Sequence, residues 1–133
     1  MKLAKTAYEL VNKLPRKEAY GLVAQIQRAA ISVPSNIAEG HGRLTDLQFR
    51  HFLGNARGSL CEVETQIELA HNLGYLDAEE SARFMEQACE VAKLINGLIT
   101  ALREPGGQSR RSLAPLTARS AASTAVTARK ELR

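Results

Sequence analysis

Apolar residues recur every three or four positions over residues 49–70, and this stripe constrains the fold more than any other feature of the sequence. It comprises Phe49, Leu53 with Phe52 beside it, Ala56, Leu60, Val63, Ile67 and Ala70. An α-helix of 3.6 residues per turn places all of these positions on one face. Thr45 and Gln48 precede the stripe at the spacing of a capping box, which begins helices. We therefore expect a helix over residues 45–71, about 40 Å long.

Three further segments have helical spacing. Residues 2–14 form a short amphipathic pattern that ends at Pro15, and a second pattern with Ala19 on its inner face runs over 17–40. A fourth follows the cap signal of Asp77 with Glu80, extends to about residue 103 and places Ala82 on its inner face. Short connections favour antiparallel neighbours. The sequence thus predicts an all-α protein, an antiparallel up-down-up-down four-helix bundle over 1–104 with a short first helix.

The short first helix predicts self-association. At about 13 residues it spans roughly 20 Å, about half the length expected for the third and fourth helices. Part of the bundle then has only three helices around its core, which leaves apolar surface to be covered by other copies of the chain. Gly54, Gly58, Cys61 and Thr65 lie on another face of the third helix. Because glycine destabilises a helix interior, we expect these small residues to permit close packing of a neighbouring helix.

The second helical pattern is interrupted at Pro34, within the stretch from Arg28 to Arg43. Proline removes a backbone donor, so we expect the helix to kink or restart there. The polar residues around the break, Ser32, Ser35 and Asn36, can satisfy backbone groups that are left unpaired. We expect the helix to end at Gly40, His41 and Gly42 through a left-handed glycine. An alternative hypothesis makes Ser35, Asn36, Glu39 and His41 a functional site, although backbone roles are commoner for polar residues at helix breaks.

Composition places the chain among single-domain globular proteins. It has 133 residues, of which 44% are hydrophobic, 24% charged and only 5% aromatic, which favours packed helices. Cys61 and Cys89 lack metal-ligand spacing, so we expect reduced thiols in the core. No apolar run reaches the eighteen residues or so of a membrane span, and residues 1–10 lack the apolar stretch of a signal peptide. We therefore expect a cytoplasmic protein without membrane association.

Charge is segregated along the chain. Residues 105–133 contain six basic residues and one acidic residue, and we expect this basic tail to be mostly disordered. Residues 1–58 contain nine basic and four acidic residues, whereas 59–104 contain three basic and nine acidic residues. A basic region of this kind attracts phosphate groups. In the predicted bundle the turn at residues 41–43, the start of the third helix and the tail lie at one end.

Residues 16–76 resemble a bacterial family known as 23S rRNA intervening-sequence proteins, also labelled S23 ribosomal proteins. The resemblance lies in the segments 16–25, 28–30, 42–43 and 56–60 with Glu62, and above all in the run Ser32-Val33-Pro34-Ser35-Asn36-Ile37-Ala38-Glu39-Gly40. Within this run Ser32, Pro34, Asn36, Glu39 and Gly40 are a structural motif. It implies a four-helix bundle that assembles as a ring, a homopentamer. The chain is also similar to the accessory proteins of diversity-generating retroelements, which implies nucleic-acid binding and a protein partner.

Three classes of function follow from these patterns. The first is a non-catalytic oligomer that binds RNA or another nucleic acid through Arg43, Arg50, Arg57, Arg103, Arg110 and Arg111. Against it stand the net negative charge of residues 1–104 and the lack of an aromatic stacking platform. The second is a structural adaptor ring that binds protein partners without nucleic acid.

An enzyme is the third class, and the sequence argues against it. Glu68 and His71 have the spacing of a di-iron ligand pair, but the sequence has no second pair to complete such a site. Cys61 has no nearby base that would make it a nucleophile. We expect no catalytic residues, no metal and no cofactor.

Overall fold

The structure, a computed structural model, describes residues 1–102, which contain four α-helices, one short 3-10 helix and no strand. In chain order these are α1 (Lys2–Val11), the 3-10 helix (Arg16–Glu18), α2 (Leu22–His41), α3 (Asp46–Asn72) and α4 (Ala78–Ala101). The all-α class with four helices is confirmed over this range. The predicted basic tail lies outside the described residues.

The last two helices begin at the predicted caps. At α3, the side chain of Thr45 accepts a hydrogen bond from the backbone N–H of Gln48 at 3.2 Å. At α4, Asp77 Oδ1 accepts from the N–H of Glu80 at 2.7 Å, and Glu80 Oε1 accepts from the N–H of Asp77 at 2.9 Å. Each bond satisfies a backbone donor that the first turn of a helix leaves unpaired. The cap residues therefore fix where α3 and α4 start.

The predicted stripe of α3 forms the centre of the core. All of its members from Leu53 to Ala70 are fully buried, and Phe49 is partly buried. Buried side chains of the other helices complete a single cluster, among them Leu10, Ile26 and Phe84. Each helix packs against the next in the chain, and α1 also packs against α4. The stripe thus packs α3 against α2 and α4, and α1 joins the core through the same two helices.

The first half of the chain departs from two predicted boundaries. α1 ends at Val11, three residues earlier than expected, although Leu14 is still buried beyond it. α2 begins at Leu22 instead of near residue 17, because the 3-10 helix and a turn at Gly21 follow Pro15. Ala19 falls in this connection and is exposed, so its predicted place in the core is wrong. α1 is ten residues long against 27 for α3, so the first helix is indeed short.

Pro34 lies inside α2, and of the two predicted outcomes, a kink or a restart of the helix, the restart is wrong. The helix is continuous from Leu22 to His41. Asn36 Nδ2 donates to the carbonyl oxygen of Ser32 at 2.8 Å and lies 3.3 Å from the Ser32 hydroxyl. These bonds hold the turn around Pro34 from within the helix.

The end of α2 is also different from the prediction. Gly42 caps the helix with φ −80°, a right-handed conformation, and its N–H donates to the carbonyls of Ala38 and Glu39. Among the described residues, the positive φ belongs to Gly74, after α3. Gly40 is buried within the helix and serves packing instead, since a Cβ there would meet Phe49 and Phe52 of α3. The expectation of a left-handed glycine at this end is therefore wrong.

Gly54 and Gly58 on the outer face of α3 do not pack against another helix of residues 1–102. A Cβ added to Gly54 or Gly58 would meet no atom within 4 Å, and both glycines are exposed. The predicted close approach is therefore absent within residues 1–102. In α4, Ala82 is exposed, so its predicted place on the inner face is wrong, whereas Ala88, Ala92 and Ile95 are buried there as the spacing predicts.

Candidate nucleic-acid interface

A shallow depression with basic side chains lies where α2 ends and α3 begins. It is lined by Arg43, Leu47, Gln48, Arg50, His51 and Phe52 and encloses about 660 Å³; we call it the basic depression. Arg43 comes from the turn between the helices, and the other residues come from the first two turns of α3. The Thr45 cap fixes the start of α3 and therefore the positions of these side chains.

Arg43 is held in the depression by two contacts. Its guanidinium carbon lies over the ring of Phe52, 4.7 Å from the ring centroid. Its Nη2 donates to Glu39 Oε2 at 2.8 Å, an ion pair across one turn of backbone. The cation–π contact and the ion pair together restrict the orientation of the guanidinium. Because Glu39 offsets part of its charge, Arg43 contributes less net positive field than its position suggests.

Arg50 is the second arginine of the depression. It makes no hydrogen bond or ion pair with the part of the chain that the structure describes, and it is partly exposed. His51 is exposed and packs edge-on against Phe52, with ring centroids 5.5 Å apart. Leu47 is 69% exposed and adds an apolar rim. The depression therefore combines positive charge, ring edges and apolar surface.

The close approach of α2 and α3 positions Phe52 beneath Arg43. Gly40 allows the two helices to meet directly behind the depression. On the same side, His41 packs edge-on against Phe49 with ring centroids 5.8 Å apart. Helical spacing places Phe52 beside the core stripe, and it gives no indication that Phe52, Leu47 and Gln48 are part of the interface. The signal that could have found it is the pairing of an arginine before the α3 cap with an aromatic residue two turns into the helix.

The predicted binding arginines do not all meet at this site. Arg43 and Arg50 line the basic depression together. Arg57 does not, because its Nη1 donates to Asn96 Oδ1 of α4 at 3.1 Å and so links two helices. Arg103, Arg110 and Arg111 lie outside the described residues.

The side chains of the alternative site at the α2 break have different partners. Asn36 bonds within α2 to Ser32, Glu39 pairs with Arg43, and His41 contacts Phe49. Ser35 lies on another surface, an apolar groove between α1 and α2 that is lined by Met1, Ala4, Lys5, Tyr8, Ile31, Pro34, Ser35 and Ala38. We call this surface the α1–α2 groove. Glu39 is thus the one member of this set whose bond reaches the basic depression.

Acidic residues at the start of α4 have a different role from the basic depression. Glu80 pairs with Lys13 Nζ at 2.5 Å and closes the Asp77 capping box. The hydrogen bond from Lys13, with that from the Asp77 backbone, lowers the pKa of Glu80 below its ordinary value. Tyr75 Oη donates to Glu18 Oε2 at 2.8 Å, which raises the pKa of Tyr75. These bonds join the α3–α4 connection to the segment between α1 and α2.

His71, Cys61 and Cys89 are other residues that the sequence offers as candidates for a metal site or a nucleophile. His71 Nδ1 lies 2.9 Å from the carbonyl oxygen of Leu76, so the ring is engaged at the end of α3. No group of three potential metal ligands occurs within residues 1–102. Cys61 and Cys89 are both unpaired and partly exposed, not fully buried. In the same range, none of the helices has the length and apolar character to cross a membrane.

The helices and the basic depression define a small all-α protein with a charged surface at one helix connection. A family model described as 23S rRNA-intervening sequence protein matches residues 1–97. The chain therefore belongs to this family, as its resemblance over residues 16–76 indicated. A comparison with curated proteins gave no match.

Proposed function

We propose that this protein is a non-catalytic homo-oligomer of four-helix bundles that binds RNA in the cytoplasm. The observation that carries the proposal is the gathering of Arg43, Arg50 and His51 around one depression, with Arg50 unneutralised by the described residues. Phosphate attraction requires positive side chains at a surface and no base-reading motif.

The bundle of the proposal has antiparallel, up-down-up-down topology. Three contacts support it. Arg57 in the first half of α3 bonds Asn96 in the second half of α4, Lys13 after α1 pairs with Glu80 early in α4, and Tyr75 bonds Glu18. In this arrangement the α2–α3 connection and the end of α4 share one end of the bundle. Arg103 and the basic tail with Arg110 and Arg111 would then extend from the same end as the basic depression.

Self-association is the second part of the proposal. Two surfaces support it: the α1–α2 groove, which is almost entirely apolar, and the bare helix backbone at Gly54 and Gly58. Copies of the chain that cover such surfaces would form a closed ring, and the family resemblance favours five. A ring repeats the basic depression in each copy and strengthens its field. Native mass measurement tests this part, and a single subunit at all concentrations would refute it.

RNA binding is tested by its dependence on salt. We expect the purified full chain to bind single-stranded RNA at low salt and to lose affinity steeply as salt is added. In Arg50→Gln, the affinity falls and the magnitude of the salt slope falls by about 0.7, as expected for one lost phosphate contact. Lys17→Gln is the matched control, because Lys17 is an exposed cation on the 3-10 helix, outside the depression. No retention of wild-type protein on RNA at low salt would exclude the function.

A structural adaptor that binds protein partners is the second candidate. It is favoured by Leu44 and Leu47, which are 97% and 69% exposed beside the depression, and by the pairing of Arg43 with Glu39. Exposed leucines on a rim suit a protein partner better than phosphate. Co-purification with a defined protein partner after nuclease treatment, lost in Leu47→Ser, would favour the adaptor. Loss of the partner on nuclease treatment would favour RNA.

A further inference from the structure

We propose that Arg43 is a stacking platform for one unpaired base of single-stranded RNA, an inference that rests on the RNA binding proposed above. The sequence offers no aromatic platform, but bases also stack on the planes of arginine guanidinium groups. The basic depression holds such a group in a defined position.

The guanidinium of Arg43 has two contacts with neighbouring side chains, and the Arg43 side chain remains partly exposed to solvent. Phe52 supports one side, with the guanidinium carbon 4.7 Å from the ring centroid. Glu39 occupies one edge through the 2.8 Å bond to Nη2. The Arg43 side chain is nevertheless 42% exposed, so a surface remains open to solvent. A planar, weakly hydrated cation held in this way loses little freedom when a base stacks on it.

The ion pair with Glu39 favours stacking over phosphate binding. A phosphate would compete with the Glu39 carboxylate for the donors of the guanidinium, whereas a base contacts its plane and leaves the donors in place. The two arginines of the depression therefore have different roles in binding RNA. Arg43 contacts a base, and Arg50, which is not neutralised by the described residues, attracts the backbone phosphates.

The surroundings of Arg43 suit a base. Gln48 lines the same depression and carries both a donor and an acceptor, which can pair with a base edge. Leu47 offers apolar contact at the rim. Because bases in a duplex are already stacked and paired, the platform selects unpaired nucleotides.

The first test compares single-stranded and duplex RNA. The probes are a short oligoadenylate and a blunt RNA duplex of the same length, and the protein is the full chain. Arg43→Lys keeps the charge and removes the plane, so we expect about tenfold weaker binding to the single strand and an unchanged affinity for the duplex. Arg16→Lys is the matched control: Arg16 is exposed on the 3-10 helix, outside the depression, so the same exchange there should leave both affinities within about twofold.

A second variant, Glu39→Gln, separates the effect of stacking from the effect of charge. In this proposal Glu39 is a positioning residue, because its carboxylate holds the guanidinium of Arg43. Glu39→Gln adds one net positive charge, so simple phosphate attraction predicts tighter binding to both probes. The stacking platform predicts the opposite for the single strand, because the guanidinium loses its anchor. We expect the ratio of single-strand to duplex affinity to fall at least threefold in Glu39→Gln. Fluorescence of a 2-aminopurine base in the single strand, quenched by stacking in wild type, should be restored in both variants.

The outcomes distinguish this inference from the function on which it rests. If the wild type binds neither probe at low salt, the proposed RNA binding and the platform both fail. If the wild type binds RNA and Arg43→Lys or Glu39→Gln leaves the affinity ratio and the fluorescence unchanged, the platform alone is overturned. Circular dichroism of each variant, matched to wild type, assigns a loss to the site and not to misfolding.

Discussion

Gly40 of α2 lies so close to Phe52 of α3 that a Cβ atom on residue 40 would stand 2.7 Å from the Cβ of Phe52. It would also lie 2.9 Å from Cδ1 of Phe49 and 3.2 Å from the Phe49 carbonyl oxygen. Cβ atoms do not approach that closely, and part of the obstacle is backbone. Gly40 therefore sets the spacing of α2 and α3 directly behind the basic depression.

Replacing Gly40 should push the two helices apart. We expect Gly40→Ala to lower the free energy of unfolding by about 1–3 kcal/mol, the usual cost of overpacking a core. Urea denaturation followed by circular dichroism measures the change. Gly42→Ala is the control, because Gly42 has φ −80° and its nearest contact would be 3.6 Å away. Equal stability of Gly40→Ala and wild type would show that α2 and α3 do not meet so closely.

Arg57 is expected to act on stability more than on RNA. Its bond to Asn96 Oδ1 satisfies a side chain that is only 7% exposed. Arg57→Ala leaves this acceptor unpaired, and we expect a loss of about 1–2 kcal/mol in the free energy of unfolding. Arg50→Ala, which breaks no bond among the described residues, should change it by less than about 0.5 kcal/mol. An Arg57→Ala variant with wild-type stability and weaker RNA binding would instead show that Arg57 is part of the nucleic-acid interface.

The Lys13–Glu80 pair predicts a loss of stability in acid. The lowered pKa of Glu80 means that folding favours its charged form, with the Lys13 bond as the main cause. Its contribution is present above the ordinary carboxyl pKa of 4.5 and is lost as pH falls through the lower pKa of the folded state. The difference in unfolding free energy between wild type and Glu80→Gln should therefore shrink from pH 7 toward pH 3. A difference that does not depend on pH would show that the pair contributes nothing.

Most of the helix assignment follows from the sequence because it depends on local chemistry. The stripe of α3 and the caps at Thr45 and Asp77 each involve residues within one or two turns, and the structure has them as predicted. The start of α2 was harder to predict. Its pattern fits helical spacing from residue 17, but the chain forms a 3-10 turn after Pro15 before the helix begins.

The candidate site was less predictable because it depends on how helices meet. Arg57 shares the charge of Arg43 and Arg50, and only the packing of α3 on α4 shows that Asn96 engages it. Gly40 read as a helix terminator, whereas its role is to admit Phe52. Glycine in a sequence shows that a side chain is absent, and the tertiary structure decides whether that serves a turn or a contact.

Gly54 and Gly58 expose helix backbone on the outer face of α3. An added Cβ would meet nothing within 4 Å at either position. Packing among residues 1–102 therefore requires neither glycine, although each lowers helix stability by up to about 1 kcal/mol relative to alanine. A neighbouring copy in the proposed ring would explain them, since two helices approach most closely where side chains are absent.

The double variant Gly54→Ala, Gly58→Ala should have opposite effects on the subunit and on the assembly. We expect helix stability measured on dilute, dissociated protein to rise by about 1–2 kcal/mol in total, because alanine favours helix and both sites are open. Native mass measurement should at the same time show a shift from oligomer toward single subunits, because the added methyl groups hold the neighbouring copy away. Glu90→Ala, an exposed substitution on α4, should leave the mass of the assembly unchanged. An intact oligomer in the double variant would place the contact between copies elsewhere, with the α1–α2 groove as the remaining surface.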